Sequence, residues 1–393
     1  MRVLQVIGGL GMGGAETWLM EVLRRWAADG SVQMDFLLTG GRREVFDDEA
    51  EALGARLHYL PYGRAHISHF IGEYRAMLRR GRYDAIHDHA DYSAGWRLAM
   101  GAGVLPPVRV IHVHNAWLHI SANYAVSPGR RLAAKGGKVL VNALASDVCG
   151  TSEEILCRYG FNPSRLGRPR VRALHCGFNI ERFNAPREIN RARVLEEFGW
   201  PAAAKIVLFA GRLDRALETN HPQNLKNSWL ALNIVRAAAA RDSSVRLLMA
   251  GDGPSREALT RAVHDWGMAD RLCLPGIRRD IPALMRAADV LLFPSTQEGL
   301  GMVAVEAQAA GLPVLASAAV PREAIVIPSI YEALPLSAKV ETWADRLLEI
   351  MARPRPDLDT CRAALEASNF SIANSARQLE EIYRSTVERT GFC

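Results

Sequence analysis

An α/β fold of two doubly wound, Rossmann-like parallel-sheet domains is what this 393-residue sequence predicts. Three observations carry that expectation. Short apolar runs alternate with amphipathic stretches from end to end, the pattern of βα units around parallel sheets. The runs form two series, separated by a stretch with no strand character between Gly177 and Trp200. Each series begins with a strand that leads into a glycine-bearing turn, the junction at which open α/β sheets bind ligands. The length agrees, being too great for one ordinary core and suited to two domains of similar size.

In the first series the predicted strands are Val3 to Ile7, Met34 to Leu38, Leu57 to Leu60, Ala85 to His87, Val108 to Val113, Asp147 to Gly150 and a last one near Val171 to Leu174. The second series runs through Ile206 to Ala210, Leu247 to Ala250, Leu272 to Pro275, Val290 to Phe293 and Val314 to Ala316. After Lys339 the pattern is helical to the end. The expected domains are 1–180 and 181–393, with a last helix at about 370–390 that could cross back onto the first domain.

Composition narrows the function classes. An apolar fraction of 49% with 23% charged residues is ordinary for a globular protein. No apolar run reaches the length of a membrane span, and the first strand follows Met1 without a basic leader, so a cytoplasmic protein is expected. The six cysteines form no C-x-x-C pair, which points away from a disulfide framework or a cysteine zinc site. Residues 1–175 hold 22 Lys and Arg against 16 Asp and Glu, whereas 176–393 hold 26 of each. The surplus is densest from Arg130 to Arg172. Such a patch could meet an anionic membrane surface or a phosphate-bearing acceptor, or be a solvated face. It lacks the aromatic interleaving expected of a nucleic-acid site, so no nucleic-acid partner is expected.

Four segments could carry chemistry. The first βα turn, GGLGMGGAE, places Gly9, Gly11 and Gly14 in the G-x-G-x-x-G pattern between a strand and a helix striped by Trp18, Leu19, Val22, Leu23 and Trp26. Such a turn cradles a pyrophosphate in many folds, and a turn that only packs a helix on a sheet fits the same pattern. With Asp35 on the second strand, or Arg42 and Arg43 to receive a 2′-phosphate, it also admits an NADP-dependent oxidoreductase. The strands ending IHDH and VIHVHN offer His87, Asp88, His89, His112, His114 and Asn115. A metal could use such histidines, but ordinary hydrogen-bonded imidazoles fit them equally, and no metal is expected.

The second domain opens with VLFAGRL, where Arg212 follows the strand, and Lys226 precedes the next helical stretch. Two such cations can clamp a diphosphate. Further on, STQEGLGMVAVEAQAAGLP sets Glu298 and Glu306 eight residues apart around the flexible Gly299-Leu300-Gly301 turn. If that segment is mostly helical, eight residues rise about 12 Å and both carboxylates can face one extended polyhydroxylated ligand, with the helix end favouring an anion. An acidic cap beside a solvated glutamate satisfies the same spacing.

The series GGAE, HVHN, GRL, LKN, GDGPSRE, PGIRRDIPALMRAADVLLFPS and EGLGMVAVEAQAAGLPVLAS resembles the bacterial retaining glycosyltransferases of family 4, in their capsule and exopolysaccharide branch. The resemblance runs over most of the chain and is strongest from Ile206 to Ser317. It implies the GT-B fold, two Rossmann-like domains facing across a cleft, with the donor on the second and the acceptor on the first. It implies a metal-independent reaction without cofactor, in which a nucleoside diphosphate sugar, here a UDP-sugar, gives a hexosyl group to a glycan or lipid-linked glycan. Arg212 and Lys226 would bind the diphosphate, Glu298 the sugar hydroxyls and Glu306 the ribose. Gly299, Leu300 and Gly301 would offer amides to sugar and phosphate, and Gly14 would approach the phosphates. Ile277 and Arg278 would lie near the base, and His114 beside the sugar and the attacking hydroxyl. Capsule, exopolysaccharide or lipopolysaccharide synthesis at the inner face of the cytoplasmic membrane would be the setting. A non-catalytic sugar-nucleotide-binding subunit would keep the same binding residues.

Overall fold

The computed structural model describes residues 1–115, 127–163, 167 and 169–390, with side chains through Arg384 in the last helix. The chain forms two compact units, Met1–Asn179 with Asn369–Cys393, and Ile180–Ser368.

In the first unit, β1 (Arg2–Ile7), β2 (Gln33–Leu38), β3 (Leu57–Tyr59), β4 (Ala85–Asp88), β5 (Val108–Val113), β6 (Asp147–Gly150) and β7 (Arg170–Ala173) make one parallel sheet in the order β3-β2-β1-β4-β5-β6-β7. The order reverses between β1 and β4, so the switch point of the sheet lies where the glycine turn and His89 emerge. The helix Gly14–Asp29 buries the expected stripe of Trp18, Leu19, Val22, Leu23 and Trp26. The last helix, Ile372–Thr390, belongs to this unit: the Trp18 indole nitrogen donates to Ser375 Oγ at 2.9 Å, and the Trp26 and Tyr383 rings meet. Gly177 N also donates to Ser375 Oγ, at 3.1 Å, tying the end of the first stretch of this unit to the start of that helix.

In the second unit, β8 (Lys205–Ala210), β9 (Val245–Ala250), β10 (Leu272–Gly276), β11 (Val290–Phe293), β12 (Val314–Ser317) and β13 (Tyr331–Leu334) form a second parallel sheet in the order β10-β9-β8-β11-β12-β13. Its switch point is between β8 and β11. The edge strand β13 is absent from the sequence expectation because YEAL shows neither alternation nor a continuous apolar run; its pairing with β12 creates it. The stretch from Gly177 to Trp200, read as the linker because it has no strand character, contains the helix Arg187–Glu197. Arg187 and Arg191 both bind Asp289, and this holds the helix on its unit.

Both cores are apolar, the first with many aromatic rings, and the inner strands are buried on both faces, as parallel sheets require, while β3, β7 and β13 at sheet edges are only partly buried. One charged pair breaks that rule. The Arg97 guanidinium grips Asp88 through two bonds of 2.5 and 2.6 Å, and both groups are almost wholly buried. The pair anchors the helix Ser93–Met100 to the end of β4, the strand that leads to His89. Arg97→Met is expected to cost about 3–5 kcal/mol, because it strands a buried carboxylate. Urea unfolding measures this, and a loss under about 1 kcal/mol would contradict the role given to the pair.

Candidate functional site

The second unit assembles a polar site at its switch point from the loops after β8 and β11. Arg212 leaves β8 and pairs with Asp214 at 2.8 Å. Asp214 is nearly buried, and its other carboxylate oxygen accepts from the backbone of Leu225 at 2.8 Å and of Lys226 at 2.7 Å. A buried carboxylate needs such partners, and meeting that need folds the long 213–226 connection back on itself. Thr296 closes the other side, with its amide donating to Leu225 O at 2.7 Å and its hydroxyl to Asn224 O at 2.6 Å. Lys226 is thereby brought to Glu298, Nζ to Oε1 2.6 Å, with Nζ also above the Phe293 ring.

Two glycines let the turn after β9 pack closely against the start of the loop after β8. Gly251 and Gly253, in the turn after β9, have φ of 149° and 153°, and a Cβ on either would lie 1.9 Å from Gly211 O or 2.1 Å from Leu213 O. Only glycine permits that conformation and that contact.

Glu298 does not lie on the helix, contrary to the spacing argument. The helix is Met302–Ala309, eight residues, capped by Gly301 at φ 93°, so Glu298 stands in the loop before it and Glu306 within it. The turn residues Gly299, Leu300 and Gly301 connect them, with Leu300 buried. Desolvation raises the Glu306 carboxyl to about 7, an effect partly opposed by Arg182. After β10, Ile277 projects into solvent at 69% exposure. The Arg278 side chain is spent on Asp280 and Glu197, so only its backbone is left for a ligand.

In the first unit Gly14 opens its helix, and a Cβ there would meet nothing within 4 Å. Gly9 and Gly11 face the Glu44 carboxylate, each 2.7 Å from an added Cβ. Glu16 stands at the same turn, its carboxyl raised chiefly by desolvation and further by Glu44. Two acids at a glycine turn oppose a phosphate there unless a cation or a proton offsets them. The dinucleotide features point elsewhere too: Asp35 is buried and accepts from Arg2 and Tyr83, Arg42 pairs with Glu44, and Arg43 with Asp48 and Glu51.

Beside that turn His87, His89, His112 and His114 share one face of the sheet, packed around Trp18. Burial lowers all four imidazoles, His114 to about 3, so the rings are neutral. Ring nitrogens of His87, His89 and His112 come within 4.8 Å of one another, close enough for a metal. Both His89 nitrogens are already engaged, by His114 at 2.8 Å and Gln5 at 2.9 Å, and a metal would have to break one of these bonds.

The basic stretch is less open than its composition suggests. Arg170 and Arg172 bind Asp147, Arg158 binds Glu154, and Lys138 lies over Tyr92 and Phe161. Arg165 and Arg168 lie outside the described residues. The helix Pro128–Leu144 carries Arg130, Arg131 and Lys135 beside exposed Leu132 and Val139.

Two domain models match the chain, "Glycosyl transferase 4-like domain" over residues 13–177 and "Glycosyl transferases group 1" over residues 204–353. EpsF, a glycosyltransferase of Bacillus subtilis strain 168, is 30% identical over 392 residues, covering 99% of this chain and 97% of its own length. The chain belongs to this glycosyltransferase family. The D-inositol 3-phosphate glycosyltransferase of Mycobacterium tuberculosis is 31% identical over 79% of the chain and 64% of that enzyme. Among solved structures, HepE of Anabaena in complex with UDP covers 98% of the chain and 100% of its own at a TM-score of 0.74 and 19% identity. Sucrose-phosphate synthase of Thermosynechococcus elongatus covers 99% and 100% at 0.74 and 21% identity. These likenesses establish the GT-B fold.

Membership of the glycosyltransferase family overturns the oxidoreductase alternative, in keeping with the occupied Asp35, Arg42 and Arg43. Sequence reasoning about the glycosyltransferase missed Asp214, the organiser of the Arg212 and Lys226 loops. Its signal was available in GRLD, an acid two residues after the arginine. It missed Glu44 as well, which no local pattern marks.

Glu306 supplies a pH test. Its folded carboxyl holds a proton to higher pH than the unfolded chain's, so its contribution to stability is full below about 4.5 and is lost as pH rises through about 7. Glu306→Gln is therefore expected to gain stability relative to the natural chain between pH 5 and pH 8. Equal differences in urea midpoint at both pH values would contradict the raised carboxyl.

Proposed function

We propose that this glycosyltransferase is a retaining, metal-independent hexosyltransferase that uses a nucleoside diphosphate sugar, with a UDP-sugar the favoured donor. Its acceptor would be a hydroxyl of a glycan or lipid-linked glycan in surface polysaccharide synthesis. The observation that carries this reading is the meeting of Lys226 and Glu298 beside Arg212 at the switch point of the second sheet. A cation pair for phosphates next to a carboxylate for hydroxyls matches the two ends of a sugar nucleotide. The UDP bound to HepE and the 30% identity to EpsF favour the same class.

The residues divide the work as follows. Breaking the anomeric bond builds positive charge on the sugar and negative charge on the departing diphosphate. Arg212, steadied by Asp214, and Lys226, released from Glu298 as phosphate arrives, would stabilise that negative charge in place of a metal. Backbone amides from Gly299 to Gly301 would add to it. Glu298 would fix sugar hydroxyls, Glu306 the ribose, the backbone of Ile277 and Arg278 the base, and Gly14 would close on the phosphates. The described site contains no obvious nucleophile for double displacement, and this favours front-face attack with the leaving phosphate taking the acceptor's proton. His114 would stand beside that hydroxyl.

Arg212→Ala and Glu298→Ala are each expected to lower kcat about 10²–10³-fold while the protein stays folded. Transfer of labelled sugar at the wild-type rate by either would remove the assignment, and absence of turnover in the natural chain despite donor binding would identify a binding subunit instead. In thermal-shift assays UDP is expected to raise Tm more than GDP or NADP; an advantage for NADP would contradict the reading.

The helix Pro128–Leu144, with its basic and exposed apolar residues, favours peripheral contact with an anionic membrane at the cytoplasmic face. Flotation with phosphatidylglycerol vesicles is expected to carry the protein at low salt and to lose it in Leu132→Glu/Val139→Glu. Indifference to both salt and substitution would count against membrane contact.

A further inference from the structure

Three of the four histidines of the first sheet, His87, His89 and His114, are joined to the last helix by a single line of hydrogen bonds. Gln5 on β1 stands in register with His87 on β4, and His112 and His114 follow on β5 with the same period of two, so the side chains emerge on one face. From the strand ends inward, Cys176 Sγ lies 3.9 Å from His114 Nδ1, and His114 Nε2 lies 2.8 Å from His89 Nδ1. His89 Nε2 meets Gln5 Oε1 at 2.9 Å, Gln5 Nε2 donates to the Tyr383 hydroxyl at 3.1 Å, and that hydroxyl lies 2.7 Å from His87 Nδ1. Tyr383 comes from the other end of the chain and is wholly buried.

This line has a direction. A neutral imidazole has one donor and one acceptor nitrogen. The Gln5 amide turns its oxygen to His89, so His89 Nε2 carries the proton and His89 Nδ1 must accept. His114 Nε2 therefore carries its proton and donates to His89, and His114 Nδ1 keeps a lone pair. At the far end the Gln5 nitrogen occupies an acceptor position of the Tyr383 oxygen, so the tyrosine proton goes to His87 Nδ1. Reversing the Gln5 amide would reverse every bond in the line.

We propose that Gln5 and Tyr383 are positioning residues that lock His114 as the Nε2–H tautomer, so that Nδ1 offers a lone pair to the acceptor's hydroxyl. This rests on the reading that His114 stands beside that hydroxyl. The Cys176 thiol, 3.9 Å from Nδ1, is too distant to use up that lone pair. His114 then orients the hydroxyl through an accepted hydrogen bond, and the proton is left for the departing phosphate. The returning helix thus supplies part of the reaction geometry as well as packing.

Long-range ¹⁵N NMR of the full chain labelled at histidine reads the tautomer directly, with the His114 signals assigned by their loss in His114→Asn. The expected result is a single Nε2–H form in the natural chain, and an Nδ1–H population appearing in Tyr383→Phe and Gln5→Leu. Tyr383→Phe keeps the ring against Trp26, and it is expected to lower kcat about tenfold or more while donor KM stays within about twofold. An Nδ1–H His114 in the natural chain would overturn the proposal whether or not Tyr383→Phe and Gln5→Leu fold. An unchanged tautomer in Tyr383→Phe, or a changed one with kcat intact, would overturn it as well. Wild-type transfer by His114→Asn would instead sink the placement of His114 beside the hydroxyl, whatever the tautomer.

Discussion

Parallel strands must be covered on both faces, and that constraint governs where this protein can keep its polar chemistry. The middles of β8 and β11 are sealed in an apolar core, and those of β1, β4 and β5 admit only the buried polar side chains Gln5, His87 and His112, so groups open to a ligand are confined to the carboxyl ends of the strands. The glycine turn follows β1, His89 follows β4 and His114 follows β5. Arg212 follows β8, the Gly251 and Gly253 turn follows β9, and Glu298 follows β11. The two switch points, β1 against β4 and β8 against β11, collect most of the candidate residues because there the connections depart to opposite sides and leave room between them.

Within that frame, buried charges are organised by partners far away in sequence. Asp214 would be costly alone in its buried setting, and its demand for donors determines how the loop to Lys226 folds. The Lys226–Glu298 pair follows from it and from Thr296. In the first unit the same logic acts through neutral groups. Imidazoles held below their ordinary pKa cannot rely on charge, so hydrogen-bond direction, set by Gln5 and Tyr383, determines what the His87, His89 and His114 rings present. One unit arranges paired ions at its switch point, and the other arranges lone pairs.

The strand positions and the glycine turns were legible because both are local: short apolar runs, and glycines clustered after a strand, of which Gly251, Gly253 and Gly301 lie at positive φ. Arg212, Glu298 and His114 could be named because they follow strand ends, and Lys226 because it stands just before the helix Ser228–Arg241. What was not legible depends on partners distant in the chain. The edge strand Tyr331–Leu334 exists through its neighbour β12, and the helix Arg187–Glu197 is held by Asp289, a hundred residues away. Glu44 reaches the first glycine turn from the loop after β2. Arg158, Arg170 and Arg172 looked like available charge until their acidic partners were seen.

By itself the sequence determined the two parallel-sheet units, the ends of their strands and the types of residue standing there, since periodicity and backbone permissiveness act over a few residues. Tertiary structure decided which of those residues meet. It moved Glu298 off the helix and onto Lys226, used up the Arg278 side chain, set two acids at the first glycine turn and brought Tyr383 across the whole chain to the histidines. Those outcomes follow from the need of buried polar groups for partners, and in a folded chain the partner that satisfies the need is chosen by proximity in space.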